Sequence, residues 1–339
     1  MKFLLLGSGL LALAALAGFG AEAEGEHRLV RGVTISCQTN GWEWGQEAFG
    51  DELVELRELG ANWVAIHPYA RIGADGEVRH RLDPGAPPRW LTHPVRVARE
   101  KGMAILIKPH LAYWGSPFRW RGDIHFEDPE ARARFWESYA DWIATLADIV
   151  AEADAFCVGT ELDRMVAEPG PWRTVIARVR ERTDALLTYA ANWDTFEGVA
   201  FWDALDAVGL QAYFPLTEAE DPDEAELEAG WANILPRLTA LHQRTGKPVV
   251  FTELGYNRSL SAARRPWDDA RAGPDERDRA AELQARCLRV ALRTIEREAE
   301  WLRGAFLWKW FVGDPDRYDG SFLMDTPHMR AAMVDVWGR

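Results

Sequence analysis

Two glutamates stand at the ends of short apolar runs: Glu161 in Ala155-Phe-Cys-Val-Gly-Thr-Glu161-Leu and Glu253 in Pro248-Val-Val-Phe-Thr-Glu253-Leu-Gly-Tyr256. A carboxylate is costly to remove from water, so two such endings in one chain point to a shared acid/base site. One chemistry that needs such a pair is glycosidic cleavage with retention. It uses carboxyl groups about 5–5.5 Å apart, one an ionised nucleophile and the other a proton donor that later acts as base. For either glutamate taken alone, an ion pair at the rim of the fold is the plain alternative.

Other polar residues fall on similar endings: His67 in Trp63-Val-Ala-Ile-His-Pro-Tyr69, Lys108 and His110 in Ala104-Ile-Leu-Ile-Lys-Pro-His110, Asn192 in Leu187-Thr-Tyr-Ala-Ala-Asn-Trp193, and Tyr213 in Ala207-Val-Gly-Leu-Gln-Ala-Tyr213. No carboxylate completes a metal set with His67 and His110, so hydroxyl groups of a sugar are their expected partners. Lys108 as a Schiff-base lysine leaves both glutamates unexplained, and it is assigned to the substrate instead. Trp42, Trp44, Tyr113, Trp114 and Trp193 lie in segments that follow such runs, where aromatic faces match the apolar faces of pyranose rings.

These residues need a frame. Eight short apolar runs, the six above joined by Gly32–Ser36 and Gly304–Phe311, alternate with longer stretches of helical periodicity. That order predicts eight βα units closing into one α/β (β/α)8 TIM barrel over residues 31–339, whose chemistry sits at the C-terminal ends of the strands. A doubly wound sheet is disfavoured, because no Gly-x-Gly-x-x-Gly follows the first strand. Helices are expected over 51–59, 129–151, 171–183, 224–244 and 279–302, with Gly60, Gly102 and Gly246 as stops. Strict alternation puts Cys157 and Gly159 on the same face as Glu161, and Val249 and Phe251 on the same face as Glu253. It also aligns Phe306, Trp308 and Trp310.

A formal charge of −14 argues against nucleic acid and anionic membranes as partners. Three cysteines without metal-type spacing imply neither a disulfide framework nor a metal site. Residues 1–23 carry Lys2, an apolar run from Phe3 to Phe19 and the small-x-small Ala21-Glu22-Ala23, the order of a cleaved signal peptide; 24–30 then form a linker. The expectation is a secreted or periplasmic monomer with no stable membrane insertion and no cofactor, acting on a polysaccharide or oligosaccharide. Seventeen tryptophans exceed what a core of this size needs, so some should line a cleft.

Four segments, Gly60-Ala-Asn-Trp-Val-Ala-Ile66, Gly159-Thr-Glu161-Leu, Phe251-Thr-Glu253-Leu-Gly-Tyr256 and Leu307-Trp-Lys-Trp310, resemble the clan A glycoside hydrolases, and most of all glycoside hydrolase family 113, a group of secreted β-mannanases. The similarity runs over roughly residues 31–325. It implies a retaining endo-β-1,4-mannanase with Glu161 as acid/base, Glu253 as nucleophile, Tyr213 bonded to the nucleophile, and Trp308 or Trp310 flooring the −1 subsite. One position departs from many clan members: Thr160 stands where they carry an Asn that binds the sugar 2-hydroxyl. Thr160 or Asn192 is expected to supply that contact. The competing reading is a non-catalytic polysaccharide-binding or cell-envelope barrel.

Overall fold

The computed structural model describes residues 29–313 and 320–338. The expected leader and most of the linker lie outside them, although Val30 already belongs to the first strand. Eight parallel strands form a closed barrel in the order β1 (Val30–Ser36), β2 (Trp63–Ile66), β5 (Ala104–Ile107), β7 (Ala155–Thr160), β8 (Leu186–Asn192), β9 (Val208–Gln211), β10 (Val249–Leu254) and β11 (Leu302–Phe311). The crossovers carry α1 (Ala48–Glu58), α2 (Arg89–Glu100), α3 (Pro129–Ile149), α4 (Pro169–Arg180), α5 (Glu224–Thr245) and α6 (Arg277–Arg297), and α7 (Pro327–Trp337) follows the last strand. The crossover from β8 to β9 is made by two short 3-10 turns, Phe196–Gly198 and Trp202–Ala204, in place of an α-helix.

Local chemistry sets the boundaries. Asp128 caps α3 by accepting from the backbone N–H groups of Glu130 and Ala131, and Pro129 then occupies the first helical turn, where no donor is needed. Asp223 and Glu226 form a reciprocal capping box at α5, which ends at Gly246 with φ 65°.

Two apolar layers result. A small inner cluster takes residues from around the barrel, among them Val30, Ala65, Leu106, Cys157, Val250 and Phe306. The larger layer packs the outer strand faces against the helices, and there Tyr139, Trp142, Trp172 and Trp231 are fully buried. Nine of the seventeen tryptophans are buried, so most of the expected surplus serves this packing; Trp42, Trp114, Trp120 and Trp267 are the exposed ones.

Strict alternation fails near the strand tips. Pairing shifts between Cys157 and Thr160 on β7 and between Phe251 and Glu253 on β10, as bulges do. Gly159 therefore faces outward, where a Cβ would stand 2.6 Å from the Trp172 ring. Phe251 likewise stacks on Trp231 of α5, with ring centroids 5.8 Å apart. The slip leaves Cys157 inside the barrel while still bringing Glu161 to the mouth.

Prolines extend the second and third barrel strands outward. After Pro68 and Pro109 the chain resumes as β3 (Tyr69–Ile72) and β6 (His110–Ala112), which pair in parallel and, with β4 (Val78–Arg79), make a three-stranded sheet above the mouth. Tyr69 and His110 are directly paired in it.

At the start of β11, Gly304 has φ 122°, and a Cβ there would lie 2.1 Å from the Val30 carbonyl oxygen. Gly304→Ala should separate the closing pair of strands and cost about 2–3 kcal/mol, seen as a lower urea midpoint. An unchanged midpoint would contradict this closure geometry.

Candidate active site

Glu253, at the tip of β10, is 4% exposed. Its Oε2 accepts from the Tyr213 hydroxyl at 2.6 Å, and its Oε1 is paired with Lys108 Nζ. The same ammonium donates to the Thr252 carbonyl at 3.2 Å and lies 4.8 Å from the centroid of the Trp308 ring. Burial draws the Lys108 ammonium below its ordinary value, and the Glu253 charge opposes that. Burial and then the Glu253 charge hold the Tyr213 hydroxyl well above its ordinary value, so it remains a donor.

Glu161 follows β7 and is the one non-glycine residue with positive φ, 54°, among the described residues. Its backbone N–H donates to the Ala190 carbonyl at 2.9 Å, which fixes the turn to β8. Its Oε2 lies 3.2 Å from Arg121 Nη1, in a pair whose side chains are 18% and 12% exposed. Burial raises the Glu161 carboxyl to about 7; Arg121 and Lys108 act downward, Glu253 and Asp163 upward. The two glutamates therefore sit in opposite surroundings. One is clasped by a cation and a hydroxyl, and the other is a raised acid beside an arginine.

Four aromatic groups cover one side of this centre. His110 stacks on Trp308 at 6.0 Å and on His67 at 5.0 Å, and Tyr69 meets both histidines edge-on. Burial first, then the neighbouring cations Lys108 and Arg121, pull both imidazoles well below their ordinary value, so they are neutral at pH 7. His67 Nε2 meets Ser36 Oγ at 3.0 Å. His67 Nδ1, both ring nitrogens of His110 and Arg121 Nε are buried without a hydrogen-bonding partner in the protein. His110 Nε2 is 3.7 Å from Glu253 Oε1. Such atoms are natural partners for hydroxyl groups of a ligand. Trp114, 54% exposed, continues the aromatic surface from Tyr69 at 5.5 Å.

Several expected site residues take other parts. Trp310 is turned away from the mouth: it is fully buried, its Nε1 donates to Glu52 Oε2 at 2.6 Å, and Arg330 lies over its ring at 4.8 Å. A shift in the pairing of β1 with β11, between the partners of Trp308 and Trp310, breaks the alternation. Trp308 is thus the tryptophan at the site. Lys108 is committed to Glu253 and the Thr252 carbonyl, which makes it a partner of the carboxylate before any sugar. Thr160 donates its hydroxyl to the Pro109 carbonyl at 3.0 Å, and Asn192 turns its amide N–H toward Asp163 at 2.9 Å. The expected 2-hydroxyl contact is therefore not prepared by the Thr160 hydroxyl or the Asn192 amide donor. Trp42 is 62% exposed on the turn after β1, whereas Trp44 is the residue of that turn packed on His67. Trp193 stacks on Trp267, from the loop after β10, at 5.2 Å.

Arg121 and Tyr69 were not foreseen. Arg121 sits on a 3-10 turn, Arg121–Asp123, where no periodicity marks a loop arginine as buried. Tyr69 lies just beyond a proline that hides the continuation of its strand.

Fold and site together define a (β/α)8 barrel built around two unlike carboxyl groups. The pattern of Glycoside Hydrolase Family 113 matches residues 33–321, and the chain belongs to that family of glycoside hydrolases. Its fold is shared with a family 113 β-mannanase of Alicyclobacillus acidocaldarius, with TM-score 0.77, 24% identity, and coverage of 92% of this chain and 97% of that one. It is also shared with a family 5 mannosidase of Rhizomucor miehei, with TM-score 0.65, 14% identity, and coverage of 95% and 97%. A β-glucuronidase of Ruminococcus gnavus, of which 52% is covered, has TM-score 0.60 at 15% identity over 95% of this chain. No curated protein matches by sequence.

Removing one partner of a buried ion pair leaves the other charge uncompensated. Lys108→Met should therefore destabilise the protein by about 3–5 kcal/mol, and adding Glu253→Gln should recover most of the loss. Chemical denaturation of the two single variants and the double variant checks this; additive losses would mean that the pair is not coupled.

Proposed function

We propose that the protein cleaves β-1,4-linked mannan or its oligosaccharides by double displacement, with Glu253 as nucleophile and Glu161 as acid and then base. The carrying observation is the contrast between the two carboxyl groups: Lys108 and Tyr213 clasp Glu253, while Glu161 is raised to about 7. In the first step a Glu253 oxygen forms a bond to the anomeric carbon, the glycosidic bond breaks, and the Glu161 proton passes to the departing oxygen. Water then attacks the same carbon, gives its proton to Glu161, and displaces the Glu253 carboxylate.

The neutral imidazoles of His67 and His110 and the Arg121 Nε supply contacts for sugar hydroxyls, while Trp308 faces the apolar side of the ring in the −1 subsite. Trp114 and the Trp193–Trp267 stack extend the cleft for further residues of a chain. Mannan as the substrate is supported by the family and by the likeness to the Alicyclobacillus β-mannanase. Export to the periplasm or the medium is supported by the apolar run from Phe3 to Phe19 and the Ala21-Glu22-Ala23 that follows it.

Glu253→Gln should abolish release of reducing sugar from mannan, and azide should rescue Glu253→Ala to give the inverted glycosyl azide. Full activity of Glu253→Gln would remove the nucleophile assignment. Because bond cleavage needs protonated Glu161, kcat/KM on a phenyl β-mannoside series should fall about tenfold per pH unit above about 7. A flat profile to pH 9 would count against Glu161 as the acid.

A further inference from the structure

Arg121 holds a position that proton donation alone does not ask for. Its guanidinium comes from the loop between β6 and α3 and contacts Glu161 Oε2 at 3.2 Å, in a pair almost withdrawn from solvent. A cation there disfavours the protonated acid needed in the first step, so its presence calls for a benefit elsewhere in the cycle.

The charges around Glu161 show where that benefit lies. Facing it are Arg121 from the β6–α3 loop, Glu253 from β10, Lys108 following β5, and Asp163 two residues along its own loop. The phenols of Tyr69 on β3, Tyr189 on β8 and Tyr213 after β9 are also within its electrostatic reach. All three phenols are held well above their ordinary range by burial, so they contribute no charge near pH 7. When the first step esterifies Glu253, the principal negative neighbour becomes neutral, whereas Arg121 and Lys108 keep their charge. Glu161 has by then given up its proton and faces two cations.

Resting on the assignment of Glu161 and Glu253 above, we infer that Arg121 is a positioning residue for the second step: its guanidinium holds the newly formed Glu161 carboxylate ionised and oriented toward the attacking water. Bonds and protons balance without another reactant. Water gives one proton to Glu161, its oxygen joins the anomeric carbon, and the ester bond to Glu253 breaks. Arg121 remains charged throughout, with its buried Nε still available to a sugar hydroxyl.

The test compares the wild-type enzyme with Arg121→Met and Arg121→Lys on 2,4-dinitrophenyl and phenyl β-mannobiosides. The dinitrophenolate departs without protonation, so its turnover is set by the second step. There Arg121→Met should lower kcat about tenfold or more, with a burst of dinitrophenolate and a glycosyl-enzyme visible by mass spectrometry. Azide, which needs no base, should restore that kcat. On the phenyl substrate the basic limb of kcat/KM should move to higher pH, because the opposing cation is gone. Arg121→Lys should keep most of the wild-type behaviour on both.

Equal losses on both substrates with an unmoved pH limb and no azide effect would overturn the proposal and leave Arg121 a structural residue. Failure of the underlying assignment shows separately, as a Glu253→Ala variant that still turns over the dinitrophenyl substrate without azide.

Discussion

The Lys108–Glu253 pair is the constraint around which the mouth of the barrel is arranged. A carboxylate 4% exposed is tolerable only if its charge is answered nearby, and the answer has to come from another strand because β10 itself supplies none. Lys108 reaches it from the end of β5, threads past the Trp308 ring and also meets the Thr252 carbonyl. Tyr213 closes the other oxygen. The Trp308 ring packs beside that pair, and Lys108 adds to burial in keeping the neighbouring histidines neutral. A further cation against His67 or His110 would be unfavourable, which fits their role as uncharged hydrogen-bonding groups.

Glu161 obeys a different rule. Its environment leaves it near the balance point between its two forms, because burial is opposed by Arg121 and reinforced by Glu253. A group so placed responds strongly to a change of one charge beside it. Two carboxyls with unlike neighbours can hold different protonation states, whereas two in equivalent surroundings would share one proton.

What the sequence made legible was set by burial. Strands enclosed on both faces read as continuous apolar runs, and all eight barrel strands were visible that way, together with Glu161, Glu253 and Tyr213 near their tips. The inward or outward direction of a side chain was less legible. It depends on bulges, which arise from the register between neighbouring strands and leave no mark on either strand alone. Hence Phe251 and Gly159 were assigned to the wrong face, and Trp310 was grouped with Trp308. Arg121 was invisible for another reason: its burial comes from the folding of a loop over the mouth, and an arginine in a loop has no apolar pattern to betray it. Thr160 and Asn192 were read as ligands for a sugar, but each has its hydroxyl or amide donors engaged by the protein.

The backbone of Glu161 has a consequence for how this chain can change. A left-handed φ of 54° is uncomfortable for a residue with a Cβ, by about 1–2 kcal/mol, and comfortable for glycine or asparagine. At this one position the fold alone would select the small residue, and the role proposed for Glu161 would select the glutamate. Pressure for thermal stability and pressure for turnover therefore pull in opposite directions at the same Cα, and a lineage released from its substrate would be expected to lose its acid there first.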